Sequence, residues 1–284
     1  MTQTQKILVA GATGTVGRQV VAELIARGHA VRALTRDASK ATFPVGVEVV
    51  QGDLTEPDSL IPALEGVTGL HLITFGAYFV PLETGPRILE LARAAGVRRV
   101  TVLHGGGASL LEDAVRADDG VDWTVLMPVE FMANSLEWAD GIADSGEVHE
   151  PFVSRLSAVV HEGDIGAVAA VALTEEGHGG QEYVITGPEL LTVGDKVATI
   201  AAARGSGIAL VELTEEEAVT RWRAAGHPEG VIGFLIEAYG NTPEVGRTVV
   251  DTVEKVTGHP ARTFAHWAAE HVDSFAATVP AVTG

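Results

Sequence analysis

The stretch Gly11-Ala12-Thr13-Gly14-Thr15-Val16-Gly17 follows the apolar run Ile7-Leu8-Val9-Ala10 and leads directly into Gln19-Val20-Val21-Ala22-Glu23-Leu24-Ile25. That order reads as strand, glycine turn, helix, and few folds set the three in immediate succession. Glycine accepts positive φ and has no Cβ, so such a turn can bend sharply and let phosphate oxygens approach the backbone. The helix that follows points its unpaired N–H groups and its positive dipole end at the same spot, which suits a pyrophosphate. A glycine turn that only packs helix on strand would use the same residues. The context favours the nucleotide, because a second strand, Ala30-Val31-Arg32-Ala33-Leu34-Thr35, follows within about 30 residues. The expected cradle is Gly11, Thr13, Gly14, Thr15, Val16 and Gly17.

The spacing is G-x-x-G-x-x-G rather than G-x-G-x-x-G, which resembles the extended and atypical branches of the short-chain dehydrogenase/reductase superfamily. Beyond the turn, β-branched runs alternate with segments of helical period, as βαβ units do. Strands are expected at 6–10, 30–35, 47–51, 69–74, 98–103 and 122–127, with helices at 16–27, 56–65, 84–95 and 108–117. The fold class that follows is α/β, a doubly wound parallel sheet of Rossmann type with a smaller C-terminal α+β substrate-capping region. Met127-Pro128 ends the regular alternation, dividing a nucleotide-binding core, 1–128, from a capping region, 129–284. Short strands near 157–161, 182–186 and 208–213 are expected beyond it, the first two able to rejoin the core. Helices are expected at 192–203, 214–225 and 260–277. The second opens on Thr214 with Glu217 three residues on, the spacing of a capping box.

Charge and composition narrow the function classes. With 19 Lys and Arg against 38 Asp and Glu, the net charge is −19, so a nucleic acid is repelled by the surface as a whole. The chain has no cysteine, which removes disulfides, thiolate nucleophiles and sulfur-ligated zinc together. No apolar run reaches the ~20 residues of a membrane helix, and Met1-Thr2-Gln3-Thr4-Gln5 is a polar stub rather than a leader. A soluble, cytoplasmic protein acting on a small molecule, with no nucleic-acid or membrane partner, is expected. The oligomeric state is not legible.

The residue ending the second strand selects the adenosine ribose: an acid there holds the 2′-hydroxyl, and an arginine accepts a 2′-phosphate. Here Thr35 is followed by Arg36, about 20 residues beyond the glycine turn, and a guanidinium can grip phosphate bidentately. NADP is therefore expected over NAD, the competing reading being a solvated Arg36 paired with Asp37. Asp53 and Leu54 close the third strand, where the loop borders adenine. Asp53 serves equally well there as an adenine acceptor or a helix cap.

Several segments together resemble the NmrA-like family of atypical short-chain reductases: Gly11-Ala12-Thr13-Gly14, Val31-Arg32-Ala33-Leu34-Thr35-Arg36, Val49-Val50-Gln51-Gly52-Asp53-Leu54, Asp122-Trp123-Thr124-Val125-Leu126-Met127-Pro128 and Phe131-Met132-Ala133-Asn134. Thr186-Gly187-Pro188-Glu189-Leu190-Leu191-Thr192 extends the likeness, which runs from Lys6 to about Phe275. The resemblance implies an NAD(P)-binding Rossmann domain with a small C-terminal domain. It also implies either a quinone or other carbonyl reductase, or a nucleotide-binding redox sensor without turnover.

Open α/β sheets bind ligands beyond the carboxyl ends of their strands. On the nicotinamide side the chain would deliver Thr74, Phe75 and Gly76, then His104 and Gly105, then Pro128. Tyr78, Phe79, Gly106, Phe131, Asn134 and Trp138 would wall the acceptor, although aromatic residues at such positions are as readily plain core. The superfamily's Tyr with a Lys four residues on is absent, since Tyr78, Tyr183 and Tyr239 are followed at that spacing by Leu82, Gly187 and Pro243. Proton supply then falls to His104, Tyr78 or water. His104 is favoured because histidine's ordinary pKa lies near working pH, with a satisfied loop histidine as the alternative. Glu130 could orient a substrate hydroxyl or amine, or simply open a helix. His149, His161, Glu150, Glu162 and Asp164 lack the H-E-x-x-H spacing, so no metal site is expected. The reading is an NADPH-dependent oxidoreductase for a small apolar carbonyl, quinone or imine. A sensor is its rival, and a sugar-nucleotide epimerase a weaker third without the Tyr/Lys pair.

Overall fold

The computed structural model describes residues 4–76, 81–107 and 109–276. Its strands are β1 (Lys6–Val9), β2 (Ala30–Thr35), β3 (Glu48–Gln51), β4 (Gly69–Ile73), β5 (Arg99–Leu103), β6 (Asp122–Pro128), β7 (Glu147–Pro151), β8 (Gln181–Ile185) and β9 (Ala209–Leu213). The helices, in chain order, are α1 (Thr15–Ala26), α2 (Ile61–Leu64), α3 (Gly85–Ala94), α4 (Leu110–Arg116), α5 (Ala139–Asp144), α6 (Glu162–Thr174), α7 (Val193–Arg204), α8 (Glu215–Ala224), α9 (Glu229–Gly240), α10 (Thr252–Thr257) and α11 (Phe264–Glu270). They fall into two compact units. The first is Met1–Pro128 with Glu162–Ile185 and Thr252–His259; the second is Val129–His161, Thr186–Asp251 and Pro260–Gly284.

The first unit holds a seven-stranded sheet in the order β3-β2-β1-β4-β5-β6-β8. Every pair in it is parallel. Ile7, Leu8 and Val9 are all fully buried, so β1 is covered on both faces, as the central strand of a parallel sheet must be. The strand order reverses between β1 and β4, which makes the carboxyl ends of those two strands the switch point. Helix α6 lies along α1 at Gly166, where a Cβ would stand 2.7 Å from the Cβ of Gln19; no larger residue fits that crossing. On β4, His71 is fully buried with Nδ1 2.8 Å from the Thr101 hydroxyl, while its Nε2 has no partner.

The second unit packs α5, α7 and α11 around a core that includes Trp138, Ile142, Val148, Val197, Phe264 and Trp267. A parallel ribbon of β7 and β9 belongs to the same unit. Capping boxes open α7 at Thr192 and Asp195 and α8 at Thr214 and Glu217, the latter as its spacing predicts.

Two expectations are corrected. Residues 157–161 form no strand: the Ser157 N–H bonds to Leu191 and the Ala158 N–H to Gly246, so no single ladder runs along them. The segment 182–186 does join the sheet, as β8 beside β6. The helix expected over 260–277 starts only at Phe264, where Thr263 caps it, and ends at Glu270 before a short 3-10 turn over Val272–Phe275. Strand β7 and helices α5, α9 and α10 were not expected.

Candidate functional site

The glycine turn leaves β1 through Gly11 at φ +63°, a conformation that disfavours side chains. The Ala10 N–H donates to the His71 carbonyl at 2.9 Å, tying the turn to β4 at the switch point. At Gly17 an added Cβ would stand 2.1 Å from the Gly11 carbonyl oxygen, so the first turn of α1 is seated directly on the loop. Gly14 differs. Its backbone is extended at φ −79°, and a Cβ there would meet only the Gly11 carbonyl oxygen, at 3.2 Å. The missing side chain at Gly14 therefore leaves the mouth of α1 bare. The first-turn N–H groups of a helix have no acceptor within it, and no acidic residue occupies the first turn of α1. Thr13 and Thr15 are exposed and Val16 is buried beneath them. Arg18 Nε donates to the Thr13 carbonyl at 2.8 Å and braces the outer side of the turn. A pyrophosphate fits this arrangement: bare N–H donors, a dipole end and room that any Cβ at Gly14 would fill.

At the end of β2, Asp37 is committed away from its neighbour. It accepts from the Ser39 amide and hydroxyl, at 3.0 and 2.6 Å, and pairs with Lys40 at 3.0 Å. The Ser39 hydroxyl and Lys40 together hold the Asp37 carboxyl below its ordinary pKa. Arg36 is exposed and makes no hydrogen bond or ion pair with another described residue, so the Arg36–Asp37 pair is not formed. Thr35 is half-buried, its hydroxyl accepting from the Asp37 N–H. Asp53 Oδ1 accepts from both the amide and the hydroxyl of Thr55 at 2.8 Å, a capping turn, while its second oxygen is left over. Leu54 is buried, and its carbonyl takes the Thr84 hydroxyl at 2.6 Å.

Beyond β4 and β5 two loops meet. A Cβ on Gly105 would lie 2.2 Å from the Phe75 ring and 2.7 Å from the hydroxyl oxygen of buried Thr74, so Gly105 is what allows the contact. Gly76 is half-buried, and Gly106 is exposed at φ +87°. The His104 N–H bonds to the Leu126 carbonyl on β6, which fixes the start of the loop. Its ring Nδ1 stands 2.6 Å from Oε1 of Glu112 on α4. The Glu112 side chain is 3% exposed and that of His104 28%. Arg116 lies 3.8 Å from the other Glu112 oxygen. Glu112 escaped the sequence reading, though it sits three residues before buried Val115 on the inward stripe of α4, where a carboxylate needs a partner. Tyr78 and Phe79 lie outside the described residues.

Pro128 ends β6 opposite Ile185. In the second unit, Glu130 pairs with Lys196 Nζ at 2.7 Å, and Lys196 is 1% exposed. Burial pushes the Glu130 carboxyl up, but the Lys196 and Arg155 charges and hydrogen bonds from Lys196 and Ser157 outweigh it, so the carboxyl stays below its ordinary value. Phe131 and Asn134 are half-buried. Trp138 belongs to the core, and its indole N–H donates to Glu150 at 2.8 Å. His149 pairs with Glu147 and His161 with Glu270, so the two histidines have separate partners. No group of three or more metal-ligating side chains occurs among the described residues. Nor is any helix among them long and apolar enough to cross a membrane.

The model of the NmrA-like family matches residues 3–102. A (4-alkanoyl-5-oxo-2,5-dihydrofuran-3-yl)methyl phosphate reductase from Streptomyces griseus is 37% identical over 285 residues, covering 95% of this chain and 99% of the relative. An NAD(P)H azoreductase from Xenophilus azovorans is 36% identical over 287 residues, covering 95% and 99%. Among solved structures, the NADPH-dependent quinone oxidoreductase of Escherichia coli complexed with NADPH superposes with a TM-score of 0.77 at 24% identity, covering 93% of this chain and 99% of that one. The chain belongs to the NmrA-like family, with its Rossmann-type parallel sheet.

Proposed function

We propose that this NmrA-like protein is an NADPH-dependent oxidoreductase that reduces a small, mostly apolar carbonyl, quinone or imine. The observation that carries the reading is the turn from Gly11 to Gly17, shaped so that backbone N–H groups are bare at the mouth of α1. The family's reductases supply the reaction class: two relatives at 36–37% identity over nearly the whole chain are a reductase and an NAD(P)H azoreductase.

In this reading the N–H groups of α1's first turn hold the pyrophosphate, and Arg36, unclaimed by Asp37, grips the 2′-phosphate. The free oxygen of Asp53 and the backbone at Leu54 border the adenine. Thr74, Phe75, Gly76, Gly105 and Pro128 border the nicotinamide. Bound there, NADPH supplies the hydride. Starting doubly protonated, His104 supplies the proton from Nε2 and keeps the Nδ1–H that Glu112 accepts. Its Nδ1 faces the Glu112 carboxylate, which fixes the ring so that Nε2 is the free nitrogen. Glu112 is thus a positioning residue, and its burial keeps water from competing for the bond. Positioning is the chief task left to the protein, because the cofactor carries the hydride chemistry. A turnover screen with NADPH across quinones, ketones and imines tests the proposal, and failure of every acceptor class would overturn it.

A further inference from the structure

A second group of polar side chains in the second unit has no role in the reading above. Arg155 is stacked on Tyr239, with its guanidinium carbon 4.0 Å from the ring centroid. The Arg155 side chain is only 5% exposed, yet its bonding is incomplete. Nη1 donates to the Pro151 carbonyl at 3.0 Å, both terminal nitrogens stand 3.5 Å from Glu150, and Nε has no partner. Glu150 is itself shared with the Trp138 indole. The Tyr239 hydroxyl makes no hydrogen bond to another described residue. Burial, and then the nearby Glu130 carboxylate, push its pKa far up, so it remains a neutral O–H donor at any working pH. The backbone beside this group is strained: Phe152, whose carbonyl accepts the Arg155 N–H at 2.9 Å, sits at φ +51°, the only non-glycine residue at positive φ among those described. It packs against Gly240, where a Cβ would lie 3.3 Å from its ring. Strain of this kind is held in place at ligand sites more often than elsewhere.

Buried polar groups are normally satisfied, and a half-satisfied network is costly. Of the two unpaired groups here, Arg155 Nε is buried, whereas the hydroxyl belongs to half-buried Tyr239 and is not a buried orphan; both can donate, so what is missing is a hydrogen-bond acceptor. The surrounding charge decides its kind. Three carboxylates, Glu130, Glu137 and Glu150, face two cations, Lys196 and Arg155, with the His227 imidazole near Glu137. No positive charge is left over for an anion, which leaves a neutral oxygen.

We propose that the Tyr239 hydroxyl, held in place by Arg155, binds the carbonyl-type oxygen of a neutral planar compound in the second unit. Tyr239 is the contacting group. Arg155 and Glu150 are positioning residues, and Trp138 stands beside them as a reporter. Choosing a quinone as the ligand rests on the reductase reading; the donor site itself does not.

The test is binding without cofactor, so that its outcome is independent of turnover and of the glycine turn. Menadione is titrated into the full-length protein and quenching of tryptophan fluorescence is followed, with Trp138→Phe identifying the quenched residue. Tyr239→Phe should weaken binding about five-fold, the equivalent of one neutral hydrogen bond. Its thermal midpoint should not move, because the lost hydroxyl has no protein partner. Arg155→Met should weaken binding at least as much, and Arg155→Lys, which keeps the charge, should restore part of it. Affinity within two-fold of the parent in both Tyr239→Phe and Arg155→Met would overturn the proposal. Displacement of menadione by benzoate at equal concentration would overturn the neutral-ligand assignment.

Discussion

Glu112 Oε1 lies 2.6 Å from His104 Nδ1, and of the two side chains only the imidazole reaches solvent, at 28% against 3%. A buried carboxylate on one ring nitrogen fixes both the orientation of the ring and which nitrogen is free, as an orienting acid does for a catalytic histidine. His104→Phe should therefore lower kcat by the ~10²–10⁴-fold typical of a lost general acid, with NADPH affinity preserved. Glu112→Gln should lower kcat by about ten-fold or more at unchanged KM for cofactor, because an amide no longer dictates the tautomer. Tyr78→Phe is the control and should stay within a few-fold. Steady-state kinetics on the three variants checks this. Losses within a few-fold in both His104→Phe and Glu112→Gln would leave the pair a structural one.

Gly14 and Gly17 should separate binding from folding. Gly14→Val places a side chain over the mouth of α1 on a backbone that tolerates it, so NADPH binding should be lost while the circular dichroism spectrum is retained. Gly17→Val forces a clash with the Gly11 carbonyl and should impair the fold itself. Undiminished NADPH affinity in Gly14→Val would remove the turn from the cofactor site.

Arg36→Ala should distinguish the two nicotinamide cofactors. Loss of a charge-assisted contact to phosphate costs roughly 1.5–3 kcal/mol, so NADPH should bind about ten-fold or more weakly by calorimetry, with NADH nearly unchanged. Equal losses for both cofactors would contradict 2′-phosphate selection by Arg36.

Buried His71 gives the first unit an acid sensitivity of its own. Burial lowers its pKa from 6.5 to about 4, and its Nε2 has no acceptor to receive a second proton. Above 6.5 neither state is protonated and the residue contributes no pH dependence. Between 6.5 and about 4 the unfolded chain takes up a proton that the folded protein refuses, so stability falls as pH falls, by roughly 3 kcal/mol in all, and then levels off. Denaturant unfolding at a series of pH values should show that slope, and His71→Leu should flatten it. An unchanged slope in the variant would assign the acid sensitivity to other groups.

The sheet and its turn were legible because their signals are local: β-branched runs, glycines at fixed spacing and an arginine where an acid could have stood at the end of β2. The capping box at Thr214 was legible for the same reason. What was not legible depends on tertiary partners. Strand β7, Glu147-Val148-His149-Glu150-Pro151, is too polar to read as a strand and exists by pairing with β9. Helix α9 is apolar on nearly every side and carries glycines, so it shows no 3.6-residue period. Glu112 lies on a helix eight residues beyond His104, and Lys196 is 66 residues from Glu130. A signal was available in each case: Glu112 shares a stripe with Val115, and Lys196 with Val193 and Ile200. A charge on an apolar stripe implies a buried partner, even where the sequence does not say which.

In the proposed reaction, NADPH held at the glycine turn is oxidised as a small acceptor is reduced. The measurement is acceptor-dependent oxidation of NADPH, followed across quinones, ketones and imines in the full-length protein. Turnover is expected with at least one class, with a higher kcat/KM for NADPH than for NADH and none in Gly14→Val. Tight NADPH binding with no oxidation by any acceptor, or turnover undiminished in Gly14→Val, would contradict it.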